Sequence, residues 1–261
     1  MKNIILSLLV LAAATNAPAA VISQWDFNTV PPDSGVGSGT LTPSIGTGVA
    51  SAVGGVNAVF NTGSPSDPAA SGTDNSGVSA NTFPAQGTGS GTAGVQFTSS
   101  TVGFKDISVS FDLRAGTAAS RFYQLQITND GLTYVNVSAG TGQGATTPGT
   151  NSVATISNTG SIQINADSAV LNYGQGFSYT LAGGSASENN ANFGFRVVSV
   201  FDPAGGTQYV SSNAGTALAY LPSGAIRVDM VTMSGSVIPE PTSLAFLAMG
   251  SIVALRRRRR E

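Results

Sequence analysis

From Val95 onward, apolar and polar side chains alternate with a period of two, and that period limits the fold more than any other feature. In KDISVSFDLR, Ile107, Val109, Phe111 and Leu113 alternate with Ser108, Ser110, Asp112 and Arg114. In RFYQLQIT, Tyr123, Leu125 and Ile127 alternate with Gln124, Gln126 and Thr128. An extended chain points successive side chains to opposite faces, so each run buries one face and wets the other. On a helix the same order would scatter apolar residues around the whole circumference. Further strands are expected at 21–28, 56–61, 161–165, 177–181, 192–201, 208–211 and 225–234. Many short strands separated by Gly- and Asn-rich turns predict an all-β fold, an antiparallel β-sandwich or jelly roll.

The turn Asn129-Asp130-Gly131 allows a test of register. A two-residue Asp-Gly loop would set Leu125 opposite Asn136. A three-residue loop sets Leu125 opposite Val135 and Tyr123 opposite Val137, which keeps one face apolar. That favours a type I turn with Gly131 in the left-handed region, since a slip of one residue would turn the apolar face to solvent. Ahead of Val95, residues 31–94 are low in complexity and rich in Gly, Ser, Thr, Pro and Ala. They are expected to be long surface loops around few strands, or partly disordered. Trp25 and Phe27 need a core, which keeps the stretch inside one domain. The domain is set at 21–234, followed by a spacer at 235–238.

The composition narrows the chemistry. The chain has no Cys and no His. That removes disulfides, thiolate zinc sites, Cys nucleophiles, the commonest general base and the usual serine-hydrolase triad. Residues 21–238 carry five basic against eleven acidic side chains, a net of −6, which argues against nucleic-acid binding. No calcium-loop or HExxH motif is present, so no metal ligand and no cofactor is assigned. A calcium site built from loop Asp and carbonyl oxygens needs no linear spacing and is compatible with such a fold. Asp130 and Asp202 read as turn residues. Asp112, Arg114 and Arg121 read as pairing on a solvated face, where such pairs contribute little. A glycosidase would need two carboxylates across a cleft, Asp112 with Asp229 or Glu188 being the candidates. Trp25, Tyr123, Tyr134, Tyr173, Tyr179, Tyr209 and Tyr220 would form either a sugar-stacking platform or, as the more frequent use of such area, core. No catalytic residue is assigned, and the protein reads as a non-enzyme.

Both ends of the chain read as addresses. Residues 1–20 combine Lys2, an apolar run at 4–14 broken by Ser7, and the small-x-small sequence Ala17-Pro18-Ala19. This is the order of a signal peptide, with cleavage expected after Ala19 or Ala20 by signal peptidase following Sec export. At the other end, Pro239-Glu240-Pro241 precedes an uncharged run at 242–255 and then Arg256, Arg257, Arg258, Arg259 and Arg260. As a helix that run would measure ~21 Å, short for a hydrocarbon core of about 30 Å. The arginines can snorkel and lengthen the span. They belong on the cytoplasmic side, which leaves 21–238 outside, in agreement with the signal peptide. The two prolines hold the strip before the run extended, a form that suits an enzyme groove.

Taken together, Pro239-Glu240-Pro241, the run 242–255 and the Arg256–Arg260 cluster resemble the PEP-CTERM protein-sorting domain of exported bacterial proteins, over residues 239–261. The resemblance implies recognition and processing near the motif by an exosortase, a membrane-embedded cysteine transpeptidase or protease. It further implies a membrane-tethered precursor and a final place in the cell envelope, cell surface or extracellular polysaccharide matrix. Residues 111–131 also resemble a pattern common in the ectodomains of such sorted proteins, which again implies a β-sandwich. The expected role is structural or adhesive. A carbohydrate-binding module with polysaccharide as partner is the alternative, and a carboxylate-based glycoside hydrolase is the third reading.

Overall fold

The computed structural model describes residues 19–71, 74–146, 153–164, 172–213 and 219–239. Among them there is no α-helix. The strands of the first half are β1 (Ala20–Trp25), β2 (Ile45–Gly46), β3 (Val49–Val53), β4 (Asn57–Thr62), β5 (Ser76–Asn81), β6 (Gly94–Thr98), β7 (Phe104–Ala115) and β8 (Phe122–Thr128). There follow β9 (Val135–Asn136), β10 (Gly140–Gln143), β11 (Ala145–Thr146), β12 (Val153–Ile156), β13 (Ser161–Gln163), β14 (Gly174–Leu181), β15 (Gly194–Ser199) and β16 (Ile226–Val237).

All pairings are antiparallel and form two sheets. The first runs β2-β1-β16-β7-β14-β10, with β5 and then β4 extending it beside the start of β16. The second runs β12-β13-β8-β15-β6-β3, with β9 also on β8. The short β11 bonds to both β14 and β12 and so ties the two sheets along one side. Alternation does what the sequence requires of it. Ile107, Val109, Phe111 and Leu113 are at most 1% exposed, as are Tyr123 and Leu125. Trp25, Phe27, Phe97, Phe195, Phe111 and Phe177 join the inner faces of the two sheets in one cluster. Phe111 of the first sheet stacks on Phe195 of the second at 6.4 Å.

Several expectations need correction. Residues 31–94 hold more strand than expected between their loops, because β2, β3, β4 and β5 all lie within this stretch. Its Val and Ala side chains are small but well placed, and Ala50, Val78 and Ala80 are buried. The hairpin after β8 pairs Ile127 with Val135 and Gln126 with Asn136, which brings Val137 to Leu125. The register is two residues away from the expected one, so the faces are preserved while the loop lengthens to 129–133. Side chains hold that longer loop. Thr128 Oγ1 accepts from the amides of Asp130 and Gly131, and Asp130 Oδ1 accepts from those of Leu132 and Thr133. Gly131 is left-handed as expected, at φ 76°. The backbone bonds from Thr133 and Leu132 hold the Asp130 carboxyl well below the usual range. Residues 208–211 form no strand and contribute a single bridge, Ser211 to Ser120. Finally, β16 continues to Val237, so most of the expected spacer 235–238 is strand.

Gly94 sits between Val53 of β3 and Val198 of β15. A Cβ there would collide with the Val197 carbonyl. Gly94→Ala should therefore push β6 and β15 apart at a cost of about 1–3 kcal/mol or more. Gly37→Ala meets nothing within 4 Å and should change stability by no more than about 0.5 kcal/mol. Thermal unfolding of the two variants side by side checks this.

Candidate functional site

The fold brings two of the candidate carboxylates together. Asp112 of β7 and Asp229 of β16 are direct cross-strand partners on the outer face of the first sheet. Both strands are irregular here. The β16 register shifts after Asp229, where Met230 takes φ 48°, and the β14 register shifts opposite Asp112. Such bulges leave backbone N–H groups without a ladder partner. The carboxylates take them up: Asp112 Oδ1 accepts from Gly176 N at 2.7 Å, and Asp229 Oδ1 accepts from Met230 N at 2.7 Å.

The loop after β4 then closes over this face. Ser64 N donates to Asp229 Oδ2 at 2.5 Å, Ser64 Oγ donates to Asp112 Oδ2 at 2.5 Å, and Ser66 Oγ donates to the same Asp112 oxygen. Asp67 lies in the same loop, accepting from Ala69 N and Asn28 Nδ2. Asn75 Nδ2 donates to Ser64 O, while its Oδ1, buried beside Asp229, has no partner. Burial pushes the Asp229 carboxyl up to about 8, against the bonds from Ser64 and Met230, and burial raises Asp67 as well. Tyr173 is raised far above its ordinary value, by burial first and Asp229 second. Asp112 is 3% exposed and Asp229 0%, so the expected solvated face is covered at this point. No ion pair joins Asp112, Arg114 and Arg121. The ion pair among the described residues is Lys105 with Asp106. Arg114 faces Arg227 across the ladder, and burial with that neighbour lowers its pKa.

Every oxygen of Asp112 and Asp229 is thus occupied by a donor of the same chain, under a loop. The arrangement is a clasp that fastens the 63–67 loop to the sheet. Glu188 lies elsewhere, where its Oε1 accepts from the amides of Asp106 and Gly184. Asp202 caps a turn as expected, accepting from Ala204 N. Among the described residues, no group of three or more Asp or Glu side chains is arranged to hold a metal ion. The signal that betrays this cluster, SPSDP at 64–68, reads as an ordinary turn, and Asp67, Ser64, Ser66 and Asn75 were not anticipated.

The aromatic residues do not form a platform. Trp25, Tyr123 and Tyr179 are fully buried, and Tyr173, Tyr209 and Tyr220 are 3–4% exposed. Their polar atoms are used internally: Trp25 Nε1 donates to Leu41 O, Tyr179 Oη to Asn158 O and Tyr220 Oη to Pro84 O. Tyr134 alone of the set is half-exposed. It lies on the outer face of the second sheet with the Arg196 guanidinium 4.5 Å from its ring centre. Arg196 Nε donates to Gln126 Oε1 at 2.6 Å, and Gln126 Nε2 donates to Asn136 Oδ1 at 2.8 Å.

Of the expected address residues, Ala19 is exposed, Ala20 opens β1 opposite Gly235, and Pro239 is exposed just past β16. Ala17, Glu240, Pro241, the run 242–255 and Arg256–Arg260 lie outside the described residues. Among those described, no helix is long and apolar enough to cross a membrane.

Fold and surface together define an all-β protein of two antiparallel sheets, with a buried carboxylate clasp on one outer face and a polar Arg–Tyr face on the other. No family model matches the chain, and no curated protein matches it. A solved structure with a distant likeness is the K1 cleaved adhesin domain of Lys-gingipain from Porphyromonas gingivalis W83. It has 14% identity and a TM-score of 0.32, over 72% of this chain and 98% of that one.

Proposed function

We propose that this protein is an exported β-sandwich, sorted through its PEP-CTERM-like tail by an exosortase, with a structural or adhesive role in the cell envelope or extracellular matrix. The observation that carries the reading is the order of residues 239–261: Pro-Glu-Pro, an uncharged run, then five arginines. The N-terminal signal-peptide pattern supports the same outward topology. Among the described residues the strands run from Ala20 to Val237, between the two address segments in sequence. A sparse charge content, no His and no Cys suit a scaffold better than an enzyme. The clasp adds to this, because carboxylates saturated by their own chain are poorly placed to act on a substrate.

Intact mass of the protein from cells with and without the exosortase tests the reading. The expected species begins near Ala20 or Val21 and ends near Pro239 only when the enzyme is present. A chain ending at Glu261 in both cells would overturn the sorting assignment.

A further inference from the structure

The outer face of the second sheet carries an organised polar row. Register aligns Ser51 of β3, Gln96 of β6, Arg196 of β15, Gln126 of β8 and Asn136 of β9 directly across five strands. Four inter-strand steps make this row about 19 Å long. Gln126 and Asn136 fix Arg196 from one side through the two hydrogen bonds above, and Tyr134 supports it from below. The Gln96 amide makes no hydrogen bond with any described residue, and the terminal nitrogens of Arg196 donate to none. Among the described residues, no carboxylate lies within ion-pair distance of Arg196.

Two residues along β6 on the same face, Thr98 lines a cavity of about 300 Å³. Its other polar walls are Thr47, Ser99, Ser100 and Asn192, with buried Phe193 beneath. None of the lining side chains is charged. Ser99 Oγ and Ser23 Oγ both donate to Thr47 O, which fixes the wall, while the side chains of Thr47, Thr98 and Asn192 are left without internal partners. A cavity of this size is at the lower end for a small-ligand site. The buried Tyr134 hydroxyl, also unpartnered, lies beside Thr98 across Gly194.

We propose that this face binds a neutral polysaccharide chain laid across the strands, with Gln96 and Arg196 bonding its hydroxyls and one sugar unit seated in the cavity against Thr98 and Asn192. Amides and hydroxyls both donate and accept, as sugar hydroxyls do, and a guanidinium adds donors in a fixed fork. The body's net charge of −6 repels a polyanion at long range, which selects a neutral chain. The row lacks the large apolar anchors that dominate protein–protein contacts. Processing of the tail plays no role in this reading, so its fate is separate from that of the sorting assignment.

The test is affinity electrophoresis of the intact protein through gels containing dextran, mannan or galactan, with alginate as the acidic comparison. Retardation by a neutral polymer, little changed by added salt, is expected. Gln96→Ala and Asn192→Ala, which break no internal hydrogen bond, should each weaken it about fivefold or more, the value of one net hydrogen bond. Migration unaffected by all three neutral polymers, stronger retardation by alginate, or full retention in both variants would overturn the proposal.

Discussion

Phe97→Ala is expected to lower the free energy of unfolding by about 3–5 kcal/mol, the range for deleting a fully buried ring. Phe97 is 1% exposed and touches rings on three sides. Trp25 lies 5.3 Å away, Phe27 6.3 Å and Phe195 5.2 Å, between ring centres. Phe195 in turn meets Phe111, and Phe111 stacks on Phe177 at 5.5 Å. This path of rings is the cross-link between the two sheets. The substitution would leave a cavity at its middle that the β6 backbone, paired on both edges, cannot collapse to fill. Ring pairing adds about 0.5–1.5 kcal/mol per pair beyond the area buried. Domains of this kind are stable by about 5–15 kcal/mol in total, so the loss is a large fraction. Urea unfolding followed by fluorescence of Trp25, the sole tryptophan, reads the site directly. Leu132→Ala, at a position 86% exposed, should stay within about 0.5 kcal/mol. A Phe97→Ala loss under about 1 kcal/mol would mean that the sheets are held together elsewhere.

What was legible in the sequence follows from how local each signal is. The period of two in β7 and β8 is a local signal, and it located both strands and their buried faces. β3 and β5 were missed because their inward residues are Ala50, Ala52, Val78 and Ala80, too small to stand out among Gly and Ser. They are held by pairing with β6 and β16, which local composition does not carry. In the β8–β9 hairpin, parity was right and length was wrong, since side-chain bonds from Thr128 and Asp130 stabilise a longer loop than counting suggests. The carboxylate clasp was half legible. Asp112 with Asp229 was among the pairings considered, but the loop that covers them joins residues 48 and 165 positions apart. Asp112 therefore reads as a solvated residue in any strand-by-strand view. The row through Arg196 has one local trace, a single cation within the apolar run FGFRVVSV. Its neighbours come from four other strands.

Asp229 should give the chain an unusual dependence on pH. Burial lifts its pKa from 3.8 to about 8, so the folded state holds the proton more tightly than the unfolded state does. Its contribution is fully present below the unfolded value and is lost as pH rises through about 8. At about 1.4 kcal/mol per pH unit, the loss across that whole interval is at most about 6 kcal/mol. Asp67, also buried, is shifted in the same direction and adds to the slope. The charged and titratable groups around the site are Asp67, Asp112, Tyr173, Arg114 and Arg227, and the two arginines are set to favour ionisation of Tyr173 rather than to neutralise Asp229. With no histidine in the chain, the interval from about pH 5 to pH 8 holds no ordinary side-chain titration that would mask the effect. Asp229→Asn keeps the shape and removes the proton. Its amide nitrogen must face one of the two N–H groups that now donate to Asp229, a mismatch costing about 1–3 kcal/mol at acid pH. The variant should therefore start less stable than the parent, show a flatter profile, and draw level or overtake it near pH 8. Urea midpoints measured at half-unit steps over this interval decide the matter. A parental slope that persists unchanged in the variant would show that Asp229 is ionised throughout, held by its donors alone.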